Sequence, residues 1–199
     1  HFALERERGI TIFSKQARFP VGEIEITLLD TPGHVDFSPE AERAMQVLDC
    51  AVVVVSGTDG VQAHTETLWK LLRRYHIPTF LFFNKMDLPG ADRAQLLQQA
   101  GRLLNEHCLE LADTEAVALT DEAALAEYLE HGTLRDETVA FLIKSQALFP
   151  CFFGAALHLQ GVDEFLDALG RLTICPLYPK EFAARVYKIS RDAQGARLT

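Results

Sequence analysis

Residues 23–34 read Glu-Ile-Glu-Ile-Thr-Leu-Leu-Asp-Thr-Pro-Gly-His, and this stretch decides the fold. Apolar and polar residues alternate up to Leu29, a pattern that predicts a β-strand with one face exposed to water. The strand ends in a carboxylate, Asp30, and the chain then turns through Thr31-Pro32-Gly33-His34. A glycine in such a turn lets backbone N–H groups approach an anion closely. The stretch therefore predicts an anion site at the carboxyl end of a strand.

Two further strand ends carry polar or glycine-containing loops. An apolar run at residues 79–83 leads into Asn84-Lys85-Met86-Asp87, and another at residues 149–153 leads into Gly154-Ala155-Ala156-Leu157. Such runs are typical of parallel strands buried on both faces, whose carboxyl ends lie at one edge of a sheet. We therefore expect the loops that follow the strands to form a common site.

The second and third loops have the chemistry of a guanine site. The Asp87 carboxylate can accept two hydrogen bonds from the N1 and N2 groups of guanine, a pair of donors that adenine lacks. Asn84 is predicted to brace its loop and contact the N7 edge of the base, and the aliphatic stem of Lys85 can lie along the ring. Small side chains in the third loop would let backbone N–H groups reach the guanine O6; the residues assigned there are Ala155, Ala156 and Leu157.

The first loop and the chain before it have the chemistry of a phosphate and magnesium site. Mg²⁺ neutralises the phosphates of a nucleotide, and a strand-end carboxylate such as Asp30 commonly holds its water shell. The Gly33 N–H can approach a γ-phosphate, and the His34 imidazole is expected to orient an attacking water. Thr11, in a loop expected to be mobile, can complete the Mg²⁺ shell when the γ-phosphate is present. These residues predict GTP and GDP as ligands and Mg²⁺ as the cofactor.

The rest of the chain alternates strands and helices, which predicts an α/β fold with a mainly parallel sheet and flanking helices. Residues 12–19 and 23–29 are expected to form a hairpin, and residues 51–55 a central strand buried on both faces. Helices are predicted to begin at Ser38 and to cover residues 62–75, residues 96–111 as one long amphipathic helix, and Val162–Leu172.

A lapse in this alternation, at about residues 112–148, predicts an insertion that carries two acidic helical segments, residues 121–130 and 136–148. Residues 173–179 contain two prolines and are expected to be a linker. The last segments, residues 182–189 and 197–199, are predicted to open a β domain as a hairpin.

Composition excludes several classes of function. A net charge of −9 argues against DNA binding and other sequence-blind nucleic-acid binding, although it is compatible with a ribosomal partner. The longest apolar run, residues 51–55, is too short to span a bilayer, so no membrane partner is expected. Cysteines without a CxxC pair are typical of reduced thiols in a cytoplasmic protein; they are Cys50, Cys108, Cys151 and Cys175. The histidines without ligand spacing, interpreted as surface or packing residues, are His1, His64, His76, His107, His131 and His158.

Three motifs together resemble those of the translational GTPases. They are Arg8-Gly9-Ile10-Thr11-Ile12, Asp30-Thr31-Pro32-Gly33-His34-Val35-Asp36-Phe37 and Asn84-Lys85-Met86-Asp87. Within these proteins the chain is most similar to the elongation factor G group, and within that group to the tetracycline-resistance ribosomal protection proteins. The subgroup is favoured by the short insertion, by Leu88 after Asp87, and by Val186-Tyr187-Lys188-Ile189, which resembles the start of a second, β-barrel domain.

The resemblance implies a P-loop-NTPase-type G domain and a role for each motif residue. Thr11 would be a Mg²⁺ ligand, Asp30 would serve the Mg²⁺ shell, and Ile10 would form an apolar gate beside the water. Gly33 would contact the γ-phosphate, and His34 would position the water when triggered by ribosomal RNA at the GTPase-activating centre. The base would be held by Asn84, Lys85, Asp87 and Ala156. The implied partner is the ribosome, and the full-length protein would be a cytoplasmic monomer.

One motif of this family, GxxxxGK[ST], does not occur in these 199 residues. We expect it, and the strand before it, to lie upstream of His1, so that residues 1–175 are a G domain lacking its phosphate-binding loop and residues 176–199 a linker and the start of the β-barrel. The chain alone is then expected neither to hold GTP tightly nor to hydrolyse it, and residues 51–55 and 23–29 are expected to have unpaired edges.

Two alternatives stay open. A translocation factor or a release-factor-recycling GTPase would share the chemistry, although the latter usually has Ser in place of Thr11. A non-catalytic interaction fragment without nucleotide binding would differ in class.

Overall fold

The computed structural model describes residues 15–22, 24–31, 38–176, 181–182, 189–191 and 197–198. The chain divides into two compact units. One unit draws on residues 1–19, 26–48 and 175–199, and the other on residues 20–25 and 49–174. Most of the described residues, including two of the three predicted loops, belong to the second unit.

The first described elements are the expected hairpin and a helix. Strands β1 (Lys15–Val21) and β2 (Ile24–Asp30) pair in a two-stranded sheet, and helix α1 covers Ser38–Met45. The chain reverses direction at Gly22, whose φ of +57° is readily adopted only without a Cβ atom. The hairpin and the helix start at Ser38 are therefore confirmed, with the turn placed at Gly22 because Pro20 and Val21 still belong to β1.

Four parallel strands form the sheet of the second unit. They are β3 (Ala51–Ser56), β4 (Thr79–Asn84), β5 (Cys108–Leu109) and β6 (Phe149–Phe153). The strand order is β3-β4-β6-β5, and every neighbouring pair is parallel. The predicted α/β fold with a parallel sheet is confirmed.

Amphipathic helices pack on both faces of this sheet. The helices of this unit are α2 (Ala63–Arg74), α3 (Arg93–Leu103), α4 (Thr114–Ala118), α5 (Glu122–His131), α6 (Asp136–Lys144) and α7 (Val162–Leu172). On one face the ring of Phe165 from α7 packs against Phe82 of β4 and Phe152 of β6, at 5.2 Å between centroids in each case. On the other face Trp69 of α2 meets Phe149 edge-on at 4.7 Å. Burial of each such ring contributes roughly 2 kcal/mol, which makes β4 and β6 the centre of the core.

The outer strand β3 departs from the prediction. Its residues Val53 and Val55 are buried, but Val54 on the opposite face keeps 62% of its surface exposed. Within the described part of the chain β3 pairs only with β4, so it forms an edge of the sheet. The expected burial on both faces was therefore wrong for the described sheet, because a run of valines fits a half-covered strand equally well. The unpaired edge expected for residues 51–55 agrees with the position of β3 at the end of the strand order.

The long helix predicted over residues 96–111 was also wrong. Helix α3 ends at Leu103, since the N–H groups of Leu104 and Asn105 both donate to the carbonyl of Ala100. The Asn105 side chain then accepts a hydrogen bond of 2.9 Å from the His107 N–H. The next residues pair with β6 as strand β5, so backbone pairing at the sheet edge replaces the helical continuation that the leucine spacing suggested.

Helices α4, α5 and α6 lie between β5 and β6, where the insertion was predicted. The two predicted acidic helical segments correspond to α5 and α6, although α6 ends at Lys144 and not at residue 148, and α4 was not predicted. Asp121 caps α5 by accepting hydrogen bonds from two backbone N–H groups, at 2.9 and 3.1 Å. Gly132, with φ of +71°, ends the same helix.

Near the end of the chain, β7 (Ser190–Arg191) and β8 (Arg197–Leu198) pair antiparallel. This supports the predicted hairpin, although residues 183–188, most of its expected first strand, lie outside the described residues. In the part of the chain that the structure covers, no helix has both the length and the apolar character needed to cross a bilayer.

Candidate functional site

The carboxyl ends of three neighbouring strands are joined by backbone hydrogen bonds beyond the sheet itself. The Gly57 N–H, just after β3, donates to the Asn84 carbonyl at 2.7 Å. The Gly154 N–H, just after β6, donates to the Phe83 carbonyl at 2.9 Å. Because parallel strands place their loops at the same edge, the loop of residues 84–88 (the Asn84 loop) and that of residues 154–161 (the Gly154 loop) lie side by side.

Asn84 ties the two loops together with its side chain. Its Oδ1 accepts hydrogen bonds from the Lys85 N–H at 2.8 Å and from the Ala156 N–H at 2.9 Å. The Met86 N–H adds a backbone bond of 3.0 Å to the Gly154 carbonyl. We call this set of contacts the Asn84 clamp. The bracing role predicted for Asn84 agrees with this geometry, and the clamp fixes the separation of the two loops.

The Gly154 loop doubles back so tightly that two of its positions require glycine. The Ala155 and Gln160 backbones exchange hydrogen bonds of 3.0 and 3.2 Å across the loop. A Cβ atom on Gly154 would lie 2.2 Å from the Gln160 carbonyl oxygen, and one on Gly161 would lie 2.3 Å from the Phe153 carbonyl oxygen. Gly161 also has a φ of +72°. Gly154 and Gly161 therefore allow a backbone conformation of the loop that other residues at these two positions would not allow.

The Asn84 loop has an unusual backbone and carries the carboxylate. Lys85 adopts a φ of +64°, a conformation that costs a non-glycine residue about 1 kcal/mol or more and that is enriched at functional sites. Its N–H is held in that geometry by the Asn84 side chain. Asp87 follows, with 29% of its side chain exposed, and its Oδ2 lies 3.4 Å from Nε2 of His158 in the Gly154 loop.

This edge can recognise a flat heterocycle that offers adjacent N–H donors. The Asp87 carboxylate supplies two acceptor oxygens, and the Asn84 amide keeps its NH₂ donors, since its oxygen forms the clamp. One expectation needs adjustment: the N–H groups of Ala155 and Ala156, thought free to reach a base oxygen, already donate to Gln160 and Asn84. A base oxygen must therefore share the Ala156 N–H with Asn84 Oδ1. Leu157, beside them, is 89% exposed.

Two stacked aromatic rings and an arginine lie next to the ends of strands β4 and β6. The rings of Phe83 and Phe153, the residues just before the two loops, stack at 4.9 Å with 15° between their planes. The Arg93 guanidinium lies 4.6 Å from the Phe153 ring centre and pairs with the Glu110 carboxylate, which raises the pKa of Arg93. The stacked rings hold the points at which the two loops begin at a fixed distance from each other.

A separate polar cleft of about 380 Å³ opens beside the end of β3. Its wall includes Gly57, Gly60, Gln99 and Arg102, and Asp87 and the Gly154 loop do not line it. Gln99 holds that wall in place through a 3.0 Å hydrogen bond from the Val61 N–H. This cleft is therefore not the candidate base site, which is a surface edge with several polar groups.

The remaining predicted site residues lie either in the first unit or outside the described residues. Asp30 ends β2 in the first unit and is exposed. Ile10, Thr11, Gly33 and His34 lie outside the described residues. No cluster of three or more His, Cys, Asp or Glu side chains able to hold a metal occurs among the residues described. His158 is the residue that sequence reasoning missed, since a lone histidine gives no spacing signal.

Comparisons with known proteins agree with this architecture. A sequence model of the family described as the elongation factor Tu GTP binding domain matches residues 1–174. The chain is 39% identical to the tetracycline resistance protein TetM of Streptomyces lividans, over 83% of this chain and 30% of that protein. It is 35% identical to the oxytetracycline resistance protein of Streptomyces rimosus, over 96% of this chain and 34% of that protein. It is 30% identical to the tetracycline resistance protein TetP of Clostridium perfringens, over 98% of this chain and 34% of that protein.

The chain thus spans about a third of the length of these relatives. A crystal structure of a protein from Thermus thermophilus matches it with a TM-score of 0.74, over 85% of this chain and 33% of that one, at 21% identity. At that identity the likeness is one of fold. By the match across residues 1–174, the chain belongs to the elongation factor Tu GTP binding domain family, the GTPase domain of translation factors.

Proposed function

We propose that this chain is the guanine-nucleotide domain of a GTPase that acts on the ribosome and protects it against tetracycline. The observation that carries the proposal is the Asn84 clamp, which sets Asp87 beside the Gly154 loop at the carboxyl edge of a parallel sheet. Family membership supports the nucleotide, and the names of the relatives support the drug.

In this proposal guanine binds between the two loops. Asp87 accepts hydrogen bonds from N1 and N2 of the base, and the Asn84 NH₂ group faces its N7 edge. The Lys85 stem covers one side of the ring. The Ala156 N–H is shared between Asn84 Oδ1 and O6 of the base, and the exposed Leu157 covers the base. A base with the wrong edge would leave the Asp87 carboxylate without donors, which is the source of selectivity for guanine.

The phosphate end uses Asp30, the last residue of β2, together with residues that precede β1 and residues that follow β2 in the chain. Mg²⁺ is bound in proteins through one or two carboxylates together with phosphates and water, and the strand-end oxygen of Asp30 is of that kind. When bound, the ion neutralises phosphate charge. Thr11 would add a ligand oxygen, Gly33 an N–H for the γ-phosphate, and Ile10 an apolar wall that excludes stray water. The His34 imidazole would orient the attacking water, a role that ribosomal RNA would complete.

The test uses the protein expressed from its complete reading frame, because the whole protein's activity is at issue. We expect it to raise tetracycline tolerance in a sensitive host and to hydrolyse GTP faster when ribosomes are added. His34→Ala should abolish both effects while leaving GDP binding intact, and His131→Ala, on helix α5 of the insertion, should change neither.

If ribosomes stimulate GTP hydrolysis but the protein gives no drug tolerance, the proposed GTPase activity stands and the proposed role changes from ribosomal protection to translocation. A wild-type protein that binds no guanine nucleotide would overturn the proposal in favour of an interaction module.

A further inference from the structure

His158 contacts the carboxylate to which the proposed function gives the decisive role. It ends the 3₁₀ turn Ala156–His158, and its Nε2 lies 3.4 Å from Asp87 Oδ2. The contact crosses from the Gly154 loop to the Asn84 loop, as the Asn84 clamp does. Both partners face solvent in part, with 55% of the His158 side chain and 29% of the Asp87 side chain exposed. A ligand approaching the edge therefore meets both groups together.

The neighbours of Asp87 leave His158 as its orienting partner. Ala155 and Ala156 have no polar side chains, and their backbone N–H groups are used by Gln160 and by the Asn84 clamp. Among the residues that the structure describes, His158 is the one side chain in polar contact with Asp87. A carboxylate on a surface loop rotates freely unless a neighbour restricts it, and each immobilised side chain costs about 0.5–1.5 kcal/mol when a ligand must order it.

The histidine and a guanine base can contact this carboxylate at the same time. An ionised carboxylate has about four lone-pair positions on its two oxygens. Guanine N1 and N2 would use one position on each oxygen, which leaves a second position on Oδ2 for Nε2 of His158. The histidine is therefore placed to hold the carboxylate in orientation and not to compete with the base.

We propose that His158 is a positioning residue for the base site, which aligns Asp87 for the two donors of guanine and so sets the preference of this protein for guanine over hypoxanthine. The inference rests on the proposed function. Hypoxanthine lacks the 2-amino group, so it makes only one hydrogen bond to the carboxylate. Two parallel bonds demand a fixed carboxylate orientation more strongly than one bond does, and alignment by His158 therefore favours GDP more than IDP.

The experiment measures the dissociation constants of GDP and IDP by calorimetry on the protein from its complete reading frame. We expect His158→Ala to weaken GDP binding about 3- to 10-fold, the change that corresponds to ordering one free side chain when the ligand binds. IDP binding should weaken less, so the ratio of the two constants falls. His158→Gln keeps an N–H donor and should restore most of that ratio.

A matched control is available on helix α5. His131 is 56% exposed and lies 3.9 Å from the Glu130 carboxylate, so it resembles His158 in exposure and in its partner. His131→Ala should leave both dissociation constants unchanged. Thermal unfolding of every variant by circular dichroism shows whether any loss of binding reflects loss of fold.

Asp87→Ala separates this inference from the proposed function. If GDP binding survives that change, or if the wild-type protein binds no GDP, the proposed base site is wrong and the inference falls with it. If Asp87→Ala abolishes GDP binding while His158→Ala behaves like His131→Ala, only the inference is wrong. A His158→Ala variant that weakens GDP and IDP equally, without rescue by glutamine, also overturns it, because that pattern indicates packing.

Discussion

Replacing Asn84 with alanine tests the clamp that holds the candidate site together. The change removes the oxygen that accepts hydrogen bonds of 2.8 Å from Lys85 and 2.9 Å from Ala156. A neutral hydrogen bond contributes a net of about 0.5–1.5 kcal/mol, and water can partly replace an acceptor at this exposed edge. We therefore expect the free energy of unfolding to fall by about 1–2 kcal/mol. For a domain of this size that lowers the melting temperature by about 2–8 °C.

The assay is urea unfolding of the chain at 25 °C, followed by the fluorescence of its single tryptophan, Trp69, which is buried against Phe149. Asn105→Ala is the matched control, because Asn105 Oδ1 accepts one hydrogen bond, from His107, within a single loop. The control should lose less stability than Asn84→Ala. An Asn84→Ala variant that unfolds at the same urea concentration as the control would refute the claim that one side chain joins two loops.

Two further predictions concern the rest of the second unit. Glu127 accepts hydrogen bonds from Arg135 and Thr138, which lower its pKa from 4.5 to about 2. The ionised Glu127 carboxylate therefore stabilises the folded chain fully above pH 4.5, and this stabilisation is lost as the pH falls from about 4.5 toward 2. Glu127→Gln should lower the urea midpoint at pH 7, and its difference from wild type should shrink at pH 2. Gly132 and Gly161 share φ values of +71° and +72°, but only a Cβ at Gly161 would strike the backbone. Gly132→Ala should cost about 1 kcal/mol in urea unfolding and Gly161→Ala at least about twice that; equal losses would contradict the close approach.

The best-predicted elements were those whose sequence allowed one structure. The apolar run at β6 and the amphipathic segment at α7 have the predicted bounds, because buried length and helical period both point the same way. Helix α3 was overextended, since leucine spacing continues past Leu103 while the local hydrogen bonds of Asn105 stop the helix. The pairing of β5 with β6 is a tertiary contact that the local sequence pattern does not predict.

The same distinction applies to the site. The bracing contacts of Asn84 could be predicted because its residue type and its position after a buried strand limit the contacts that it can make, whereas the base-binding roles of Asn84 and Asp87 remain predictions. The bonded state of the Ala156 N–H was not predicted, since it depends on how closely two loops approach. His158 was interpreted as a surface or packing residue, because its relation to Asp87 exists only after the chain has folded. The phosphate-side residues remain predictions.

The sequence separation bridged by the clamp has a consequence for insertions into this chain. Asn84 and Ala156 are 72 positions apart, and helices α4, α5 and α6 all lie in the chain between them. Because β4 and β6 are direct neighbours in the sheet, a change in the length of the helical segment between them need not alter the distance between the Asn84 loop and the Gly154 loop. The proposed base site is therefore structurally separate from changes in helices α4, α5 and α6.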